Sequence, residues 1–381
     1  MPGIYLHIPF CKQACHYCNF HFSTSLKYKE EMVGAMLREL ALRHGYLADK
    51  ELDSIYFGGG TPSLLTEGEL MRFFEEIGKY FTLRPGAEVT LEANPDDLAK
   101  EKIAALRRTP VNRLSIGIQS FFEEDLQFFN RAHNAREARA CLEDALSAGF
   151  NDLTIDLIYG SPTTTDAHWE ENLNIIFGYP IPHVSCYALT VEERTALAHF
   201  IKAGKSRPVD EEHAARQFEM LVSAMRAQGY VQYEISNFAR PGHFAVHNSS
   251  YWKGEPYLGL GPSAHSYNGE SRQWNIANNA KYMRALSDLS DLQDPPPGLF
   301  EIERLSPADR YNEYVMTGLR TIWGVELGRL RQMGAAFEPH FRQHIRPFLE
   351  NGQAEQAGDT FRLTDAGRFL ADGIAAAVFW A

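Results

Sequence analysis

The chain has no run approaching the roughly 18 consecutive apolar residues of a membrane-spanning helix, which excludes a helical integral membrane protein. It is also short of positive charge. Against 49 Asp and Glu there are 37 Lys and Arg, a formal net charge of −12, so a protein that tracks nucleic-acid phosphates is excluded as well. Cysteine is scarce and odd in number, five in 381 residues, and unevenly placed, unlike a secreted disulfide framework. Neither a fixed-period repeat nor a lipidation signal is present. The opening residues carry no basic stretch before Cys11, which predicts no secretory leader and a cytoplasmic protein.

What is there suits a globular protein with a substantial core: 44% apolar and 23% charged residues over a length that predicts two or three domains. Short β-rich runs recur at Ile4–Ile8, Ser54–Phe57, Glu88–Glu92, Arg113–Ile118, Leu153–Tyr159 and Val184–Leu189. Amphipathic stretches lie between and after them, at Tyr28–His44, Glu67–Phe81, Leu98–Arg107, Ala135–Ser147, Ala167–Phe177 and Asp210–Gln228. This alternation predicts an α/β protein built of βαβ units around a parallel sheet. Six units are too few for a closed eight-fold barrel and suit an open partial (β/α)6 barrel, with a doubly wound sheet as the competing arrangement. In both, functional groups gather at the carboxyl ends of the strands.

The rhythm breaks after Phe238. Residues 240–279 are rich in Gly, Asn and aromatics with little periodicity, and Asp294-Pro-Pro-Pro-Gly298 reads as a linker. Helical patterns at Pro307–Ile322, Glu326–Met333 and Pro339–Glu350, then a strand-and-turn pattern, resemble a small winged-helix-like domain. The expected division is therefore 1–238, 239–298 and 299–381.

Cys11, Cys15 and Cys18 follow directly on the first strand. Thiolates are soft ligands for zinc, copper(I) or iron–sulfur clusters. Structural zinc needs four ligands, and His16 or His21 could supply the fourth. Three thiolates in one loop can instead hold three irons of a [4Fe–4S] cubane and leave the fourth open to a chelating ligand. Cys141 and Cys186 read as buried small hydrophobes. Gly58-Gly59-Gly60 ends the second strand, where glycines permit close backbone approach to a ligand. Glu92, Gln119 and Asp156 lie in or at the ends of otherwise apolar strands, where polar groups are costly unless paired. Arg131 is placed to grip a carboxylate.

The cysteine spacing with Tyr17 before the third Cys resembles the radical S-adenosylmethionine superfamily, and thus a partial radical-SAM barrel. The resemblance implies that the methionine end of S-adenosylmethionine binds the open iron and that the reduced cluster cleaves the sulfonium. Tyr5-Leu-His-Ile-Pro-Phe-Cys11, Gly58-Gly-Gly-Thr-Pro62, Glu92-Ala-Asn-Pro95, Gly117-Ile-Gln-Ser120, Asp156-Leu-Ile-Tyr-Gly160 and Gly259-Leu-Gly-Pro-Ser-Ala-His265 look like oxygen-independent coproporphyrinogen III dehydrogenase and its relatives. By that likeness Tyr5, Tyr17, Gly59, Gly60, Thr61, Glu92, Gln119, Arg131, Asp156 and Ala188 line the S-adenosylmethionine site.

Two departures separate the chain from the dehydrogenase. Phe20 stands where that enzyme has a further cysteine, and only ten residues precede Cys11. His247-Asn-Ser-Ser-Tyr-Trp252 instead matches the H-N-x-x-Y-W motif of the HemW-type heme chaperones. That resemblance implies heme binding and delivery to hemoprotein clients such as respiratory cytochromes, with membranes met only through such clients. His247 is the candidate axial ligand, flanked by aromatics that would cover the macrocycle; His243 and His265 compete for the role. The alternative function is the dehydrogenase's own radical decarboxylation of porphyrinogen propionates. A zinc-stabilised binding module leaves the glycine and carboxylate shell unexplained.

Overall fold

The computed structural model describes residues 2–287 and 294–380. Its framework is six parallel strands, β1 (Gly3–Ile8), β2 (Glu51–Gly59), β3 (Thr82–Ala93), β4 (Arg113–Gln119), β5 (Asp152–Tyr159) and β6 (His183–Ala188). Inward and outward positions alternate along them, broken by register shifts in the β2–β3 and β4–β5 pairings. Ile4 and Leu6, Ile55 and Phe57, Leu114 and Ile116, and Leu153 and Ile155 point outward into one core beneath the helices. The intervening residues of the same strands are polar or aromatic. Tyr5, Tyr56, Glu92, Ser115, Asp156 and Ser185 line the inner face, with Ser115 paired in register to Thr154 and Asp156 to Ser185. Small closed barrels usually fill this interior with Val, Ile and Leu. Here it is a polar lumen, which is why the carboxylates inside the strands are tolerated.

The helices between strands are α1 (Lys29–Arg43), α2 (Glu67–Gly78), α3 (Lys100–Leu106), α4 (Glu123–Phe129), α5 (Ala135–Ser147) and α6 (Asp166–Phe177), with α7 (Ala196–Lys202) and α8 (Glu211–Ala227) after β6. Strand order 1-2-3-4-5-6 has no reversal, so the doubly wound alternative is ruled out. The barrel stays open. Beyond β6 the sheet continues through the antiparallel β8 (Asn237–Ala239) and β7 (Val231–Gln232).

The segment expected to be irregular is not. Residues 246–253 form helix α9, and β9 (Tyr257–Leu260) pairs parallel with β1. β10 (His265–Tyr267), β11 (Ser271–Asn275) and β12 (Phe300–Arg304) extend the sheet antiparallel, with α10 (Asn279–Ala285) between β11 and β12. These elements escape sequence reading because each is short and their support is distant. The first turn of α9 has no cap of its own. The Glu88 carboxylate of β3 accepts from Val246 N at 2.8 Å and His247 N at 3.0 Å, satisfying exposed amides and favouring the helix dipole. The expected linker Asp294–Gly298 is without helix or strand; residues 288–293 of the expected middle segment lie outside the described residues.

A buried ion pair ties this extension to the barrel. Glu39 of α1 accepts from Arg43 at 2.6 Å, Asn275 Nδ2 at 2.7 Å and Gly261 N at 2.8 Å. Arg43 in turn donates to Ser266, Gln273 and the Gly259 carbonyl.

The C-terminal part is winged-helix-like: α11 (Pro307–Leu319), β13 (Val325–Glu326), α12 (Leu327–Met333), α13 (Phe337–Glu350), β14 (Ala354–Ala357), β15 (Thr360–Leu363), α14 (Asp365–Arg368) and α15 (Ala371–Ala377). Its small antiparallel sheet runs β13-β15-β14. Tyr311, Val315, Leu330, Phe341 and Phe361 give it a core of its own. It is fastened to the rest by Ile322 N donating to Tyr233 O at 3.0 Å and by the Arg272–Glu313 pair at 2.9 Å.

Candidate functional site

The cysteine loop is held from outside by the turn that ends α4. Asn130 occupies that turn in left-handed geometry at φ 57°, which Asn tolerates as a helix C-cap. Its side-chain amide donates to Ala14 O at 2.7 Å, while Gln13 Nε2 donates to Asn130 Oδ1 at 2.9 Å. His16 N donates to Phe129 O at 3.0 Å, and Leu197 N to His16 O at 2.8 Å.

Cys11, Cys15 and Cys18 are free thiols that open on one cavity of about 460 Å³ at the carboxyl ends of the barrel strands. Every other expected site residue except Tyr5, His247 and His265 lines the same cavity: Tyr17, Gly59, Gly60, Thr61, Glu92, Gln119, Arg131, Asp156 and Ala188. Among the described residues, no three His, Cys, Asp or Glu side chains converge on a single-ion position. His16 Nδ1 bonds Phe128 O and His21 Nε2 bonds Asn279 Oδ1, and neither ring joins the three thiols at a single-ion position. A zinc site draws all its sulfurs to about 2.3 Å of one ion, whereas a cubane spreads them over separate irons. The donor set fits the cluster. Burial pushes the Cys11 thiol up to about 11 and raises Cys18 also; iron held there would supply the positive charge that a thiolate needs.

The remaining groups are aimed by the strand ends. At the end of β4 the pairing with β5 slips by one residue between Gly117 and Gln119, and Gln119 takes a left-handed φ of 68°. Such a bulge re-aims a side chain, and a non-glycine at positive φ is strain that the surroundings must hold. Arg131 is held at three points: Nη2 donates to Asn94 Oδ1 at 2.6 Å and Gly117 O at 2.7 Å, and Nη1 lies 3.3 Å from Cys15 Sγ. Its Nε is buried without a partner. Asn94 also donates to Thr61 at 3.2 Å, so one amide couples the strand end after the glycines to the guanidinium. Asn94, Asn130 and Tyr56 were not singled out from sequence, although Asn94 stands inside the Glu92–Pro95 motif and Asn130 directly precedes Arg131.

The glycines are required for a different reason than expected. A Cβ on Gly60 would meet Phe10 O at 2.6 Å, one on Gly59 the His7 ring at 2.7 Å, and one on Gly58 the Tyr56 and Tyr5 rings below 3.0 Å. It is close packing of β2 against its own neighbours that excludes side chains. The Gly59 amide donates to Glu92 Oε2 at 3.2 Å.

Glu92 also accepts from Tyr56 Oη at 2.7 Å; Asp156 is reached by Ser115 Oγ at 3.3 Å. Burial dominates both carboxyls, lifting Glu92 to about 7 and Asp156 to about 6. The ionised Glu92 is thus penalised in the folded chain, so stability falls as pH rises from about 4.5 to about 7 and returns on acidification. In the cluster-free chain Glu92→Gln should raise the melting temperature at pH 8, with a smaller gain at pH 5.5. Equal gains at both pH values would show that charge burial is not the cause.

Tyr5 and His247 line an adjoining inner cavity of about 230 Å³ that shares Glu92, Ser115, Asp156 and Tyr187 with the cysteine cavity. His247 is 3% exposed. Its Nδ1 bonds Ser54 Oγ at 2.8 Å, and its Nε2 is buried with no partner. Tyr56 stacks on the imidazole at 5.0 Å, and Tyr251 meets it edge-on at 5.1 Å. Burial lowers its pKa to about 3, so the ring is neutral. Trp252, the next residue on α9, points elsewhere and carries the Arg320 guanidinium over its ring at 5.4 Å. The motif's two aromatics therefore do not face one point: Tyr251 meets the imidazole and Trp252 lies against Arg320. His243 is exposed beside Asp152. His265 lines a separate cleft.

Phe20, in the position of the dehydrogenase's extra cysteine, is 68% exposed on the rim of the cysteine cavity. No helix among the described residues is long and apolar enough to cross a membrane.

The chain is similar to known proteins over nearly its whole length. The sequence model for the radical SAM superfamily matches residues 5–176, and that for the HemN C-terminal domain matches residues 305–370. The heme chaperone HemW of Mycobacterium tuberculosis is 34% identical over 376 residues, covering 98% of this chain and 93% of the relative. HemW of Bacillus subtilis is 31% identical over 379 residues, 98% of each. Among solved structures, the coproporphyrinogen III oxidase HemN of Escherichia coli, described as a radical SAM enzyme, gives a TM-score of 0.84 at 21% identity. That likeness covers 99% of this chain and 90% of HemN, and at such identity it speaks to the fold alone.

Proposed function

Because this chain belongs to the HemW family of the radical SAM superfamily, we propose that it is a heme chaperone: it binds heme and hands it to apo-hemoproteins, respiratory cytochromes among them. In this reading Cys11, Cys15 and Cys18 hold three irons of a [4Fe–4S] cluster. Tyr17, the Gly59–Thr61 strand end, Glu92, Gln119, Arg131, Asp156 and Ala188 hold S-adenosylmethionine over the open iron, with Tyr5 behind Glu92. The observation that carries the assignment is the convergence of the three thiols with this shell on one cavity.

When bound, the cluster supplies an electron and an open coordination site for the methionine end of the ligand. The chain's own residues bind and orient. Arg131, fixed by Asn94 and Gly117, presents a buried cation for the ligand carboxylate. Glu92 and Asp156 present carboxyl oxygens to hydroxyl or ammonium donors. The exposed Phe20 leaves the mouth of the cavity without the additional thiol of the dehydrogenase.

Two assays on one anaerobic sample test the function. Hemin titration should give a saturable Soret band, and coproporphyrinogen III should not be turned over in the presence of S-adenosylmethionine and reductant. Turnover without heme affinity would reverse the reading in favour of the dehydrogenase.

A further inference from the structure

Below the layer of Glu92, Ser115 and Asp156 the barrel interior has a second polar layer. Thr90, Arg113, Thr154 and His183 stand two residues nearer the amino ends of β3, β4, β5 and β6 than Glu92, Ser115, Asp156 and Ser185. Thr90 is paired in register to Arg113, and Thr154 to His183. All four are buried and line the inner cavity of about 230 Å³. A barrel interior is ordinarily packed with Val, Ile and Leu. Polar side chains there are costly unless something bonds to them.

For three polar atoms lining this cavity the described residues supply no partner: Thr90 Oγ1, His183 Nδ1 and, on α9, His247 Nε2. Several such orphans around one polar space call for an occupant with matching groups.

The chemistry of the deeper layer says which groups. Tyr233 Oη accepts from Asn248 Nδ2 at 3.1 Å, so its single proton goes to His183 Nε2 at 2.8 Å. His183 therefore carries its own proton on Nδ1, the atom without a partner. Thr154 Oγ1 accepts from Arg113 Nη2 at 2.8 Å, which leaves its hydroxyl proton to give. The Thr90 hydroxyl has no protein partner at all. The local field is positive. Arg113 is met by Asp152 at 2.8 Å and by Glu88 at 3.8 Å, yet the charges that act on His183 are those of Arg113 and His243, and with burial they keep the ring neutral. Donors from Thr90, Thr154 and His183 in a positive field suit an anionic oxygen acceptor. Size narrows the class. At roughly 30 Å³ per water, the space takes about seven non-hydrogen atoms.

We propose that this chamber binds a small carboxylate of roughly two to four carbons, its acid group held by Thr90, Thr154 and His183. These donors come from β3, β5 and β6 and none from α9, so the site stands independently of the heme-binding reading. The cavity shares Glu92, Ser115, Asp156 and Tyr187 with the cysteine cavity. The bound acid would thus lie beneath the proposed S-adenosylmethionine shell, with Glu92 and Asp156 facing the end of the molecule away from its carboxylate.

The test is isothermal titration of the anaerobically reconstituted full chain in carboxylate-free buffer. The probes are acetate, propionate and glycolate, with acetamide as the uncharged analogue of acetate. Saturable binding of a single carboxylate per chain is expected, and acetamide should bind at least roughly tenfold more weakly than acetate. That comparison needs no variant. Thr90→Val keeps the shape and removes one donor. It should weaken the tightest of the three acids roughly fivefold to tenfold without lowering the melting temperature of the ligand-free chain, because no protein atom bonds that hydroxyl. Absence of saturable binding for all three acids would mean that the chamber holds water alone and would overturn the proposal. Acetamide binding as tightly as acetate would overturn the carboxylate class, and a Thr90→Val chain that titrates like the wild type would put the acid elsewhere.

Discussion

Cys15→Ala should strip the anaerobically reconstituted chain of essentially all its iron. The wild type should carry about four irons per chain with broad absorbance near 400 nm, and the variant neither (by ligand count). The effect should be near-complete because, among the described residues, no His, Asp or Glu is gathered with the thiols at a common metal position to take its place. With one thiolate gone a cubane has two open irons in place of one and no protein atom to cover the second. Cys15 is also the thiol beside the buried Arg131 guanidinium, so its loss removes the group that both binds iron and meets that cation. Cys141→Ala and Cys186→Ala are the controls. Both thiols are buried away from the cavity, behind α5 and β6, and both variants should keep full iron. Loss of iron in Cys186→Ala, or retention in Cys15→Ala, would move the cluster elsewhere.

Glu39→Ala should be the most destabilising of the simple substitutions outside the cluster, by about 3–5 kcal/mol. It removes a buried carboxylate and leaves Arg43 as an uncompensated buried charge, with Gly261 N and the Tyr282 hydroxyl unpaired. The loss should be felt where the network binds, at the junction of α1 with β9–β11, so sheet extension and barrel should part earlier in denaturant. Glu39→Met/Arg43→Met should recover much of the loss, because apolar replacement of a whole buried pair is often neutral or better. Arg346→Ala, which breaks the exposed Arg346–Glu350 pair, should change stability by no more than about 0.5 kcal/mol. Urea unfolding of the four proteins measures all of this. Equal effects of Glu39→Ala and Arg346→Ala would mean that the buried pair does not hold the extension.

The contrast between these regions explains what the sequence made legible. The six parallel strands and six of the surrounding helices were readable from their apolar patterns, whereas the short α4 and α7 were not read and β2 and β3 run beyond the stretches read; β4 alternates Leu114, Ile116 and Ile118 with Arg113, Ser115 and Gly117. The order of the strands was not readable, and only pairing in register excluded the doubly wound sheet. The cysteine loop announced itself through spacing. Asn130, which holds it through Gln13 and Ala14, is more than a hundred residues away, and nothing local marks the contact.

Residues 240–279 were read as irregular for the same reason. β10 has three residues, and α9 begins without a local cap because Glu88 serves it from β3. His247 is the most instructive case. Its flanking Tyr and Trp suggested a shared ligand, but successive helical residues point about 100° apart. Tyr251 therefore covers the imidazole while Trp252 meets Arg320.

The most direct test of the central claim, three thiolates with an open iron inside a shell for S-adenosylmethionine, is electron paramagnetic resonance of the reduced cluster with and without that ligand. Direct chelation at the open iron should alter the g-values on addition of S-adenosylmethionine, and Arg131→Ala should require a higher ligand concentration for the same change. A spectrum that is identical with and without saturating S-adenosylmethionine in the wild type would contradict the account.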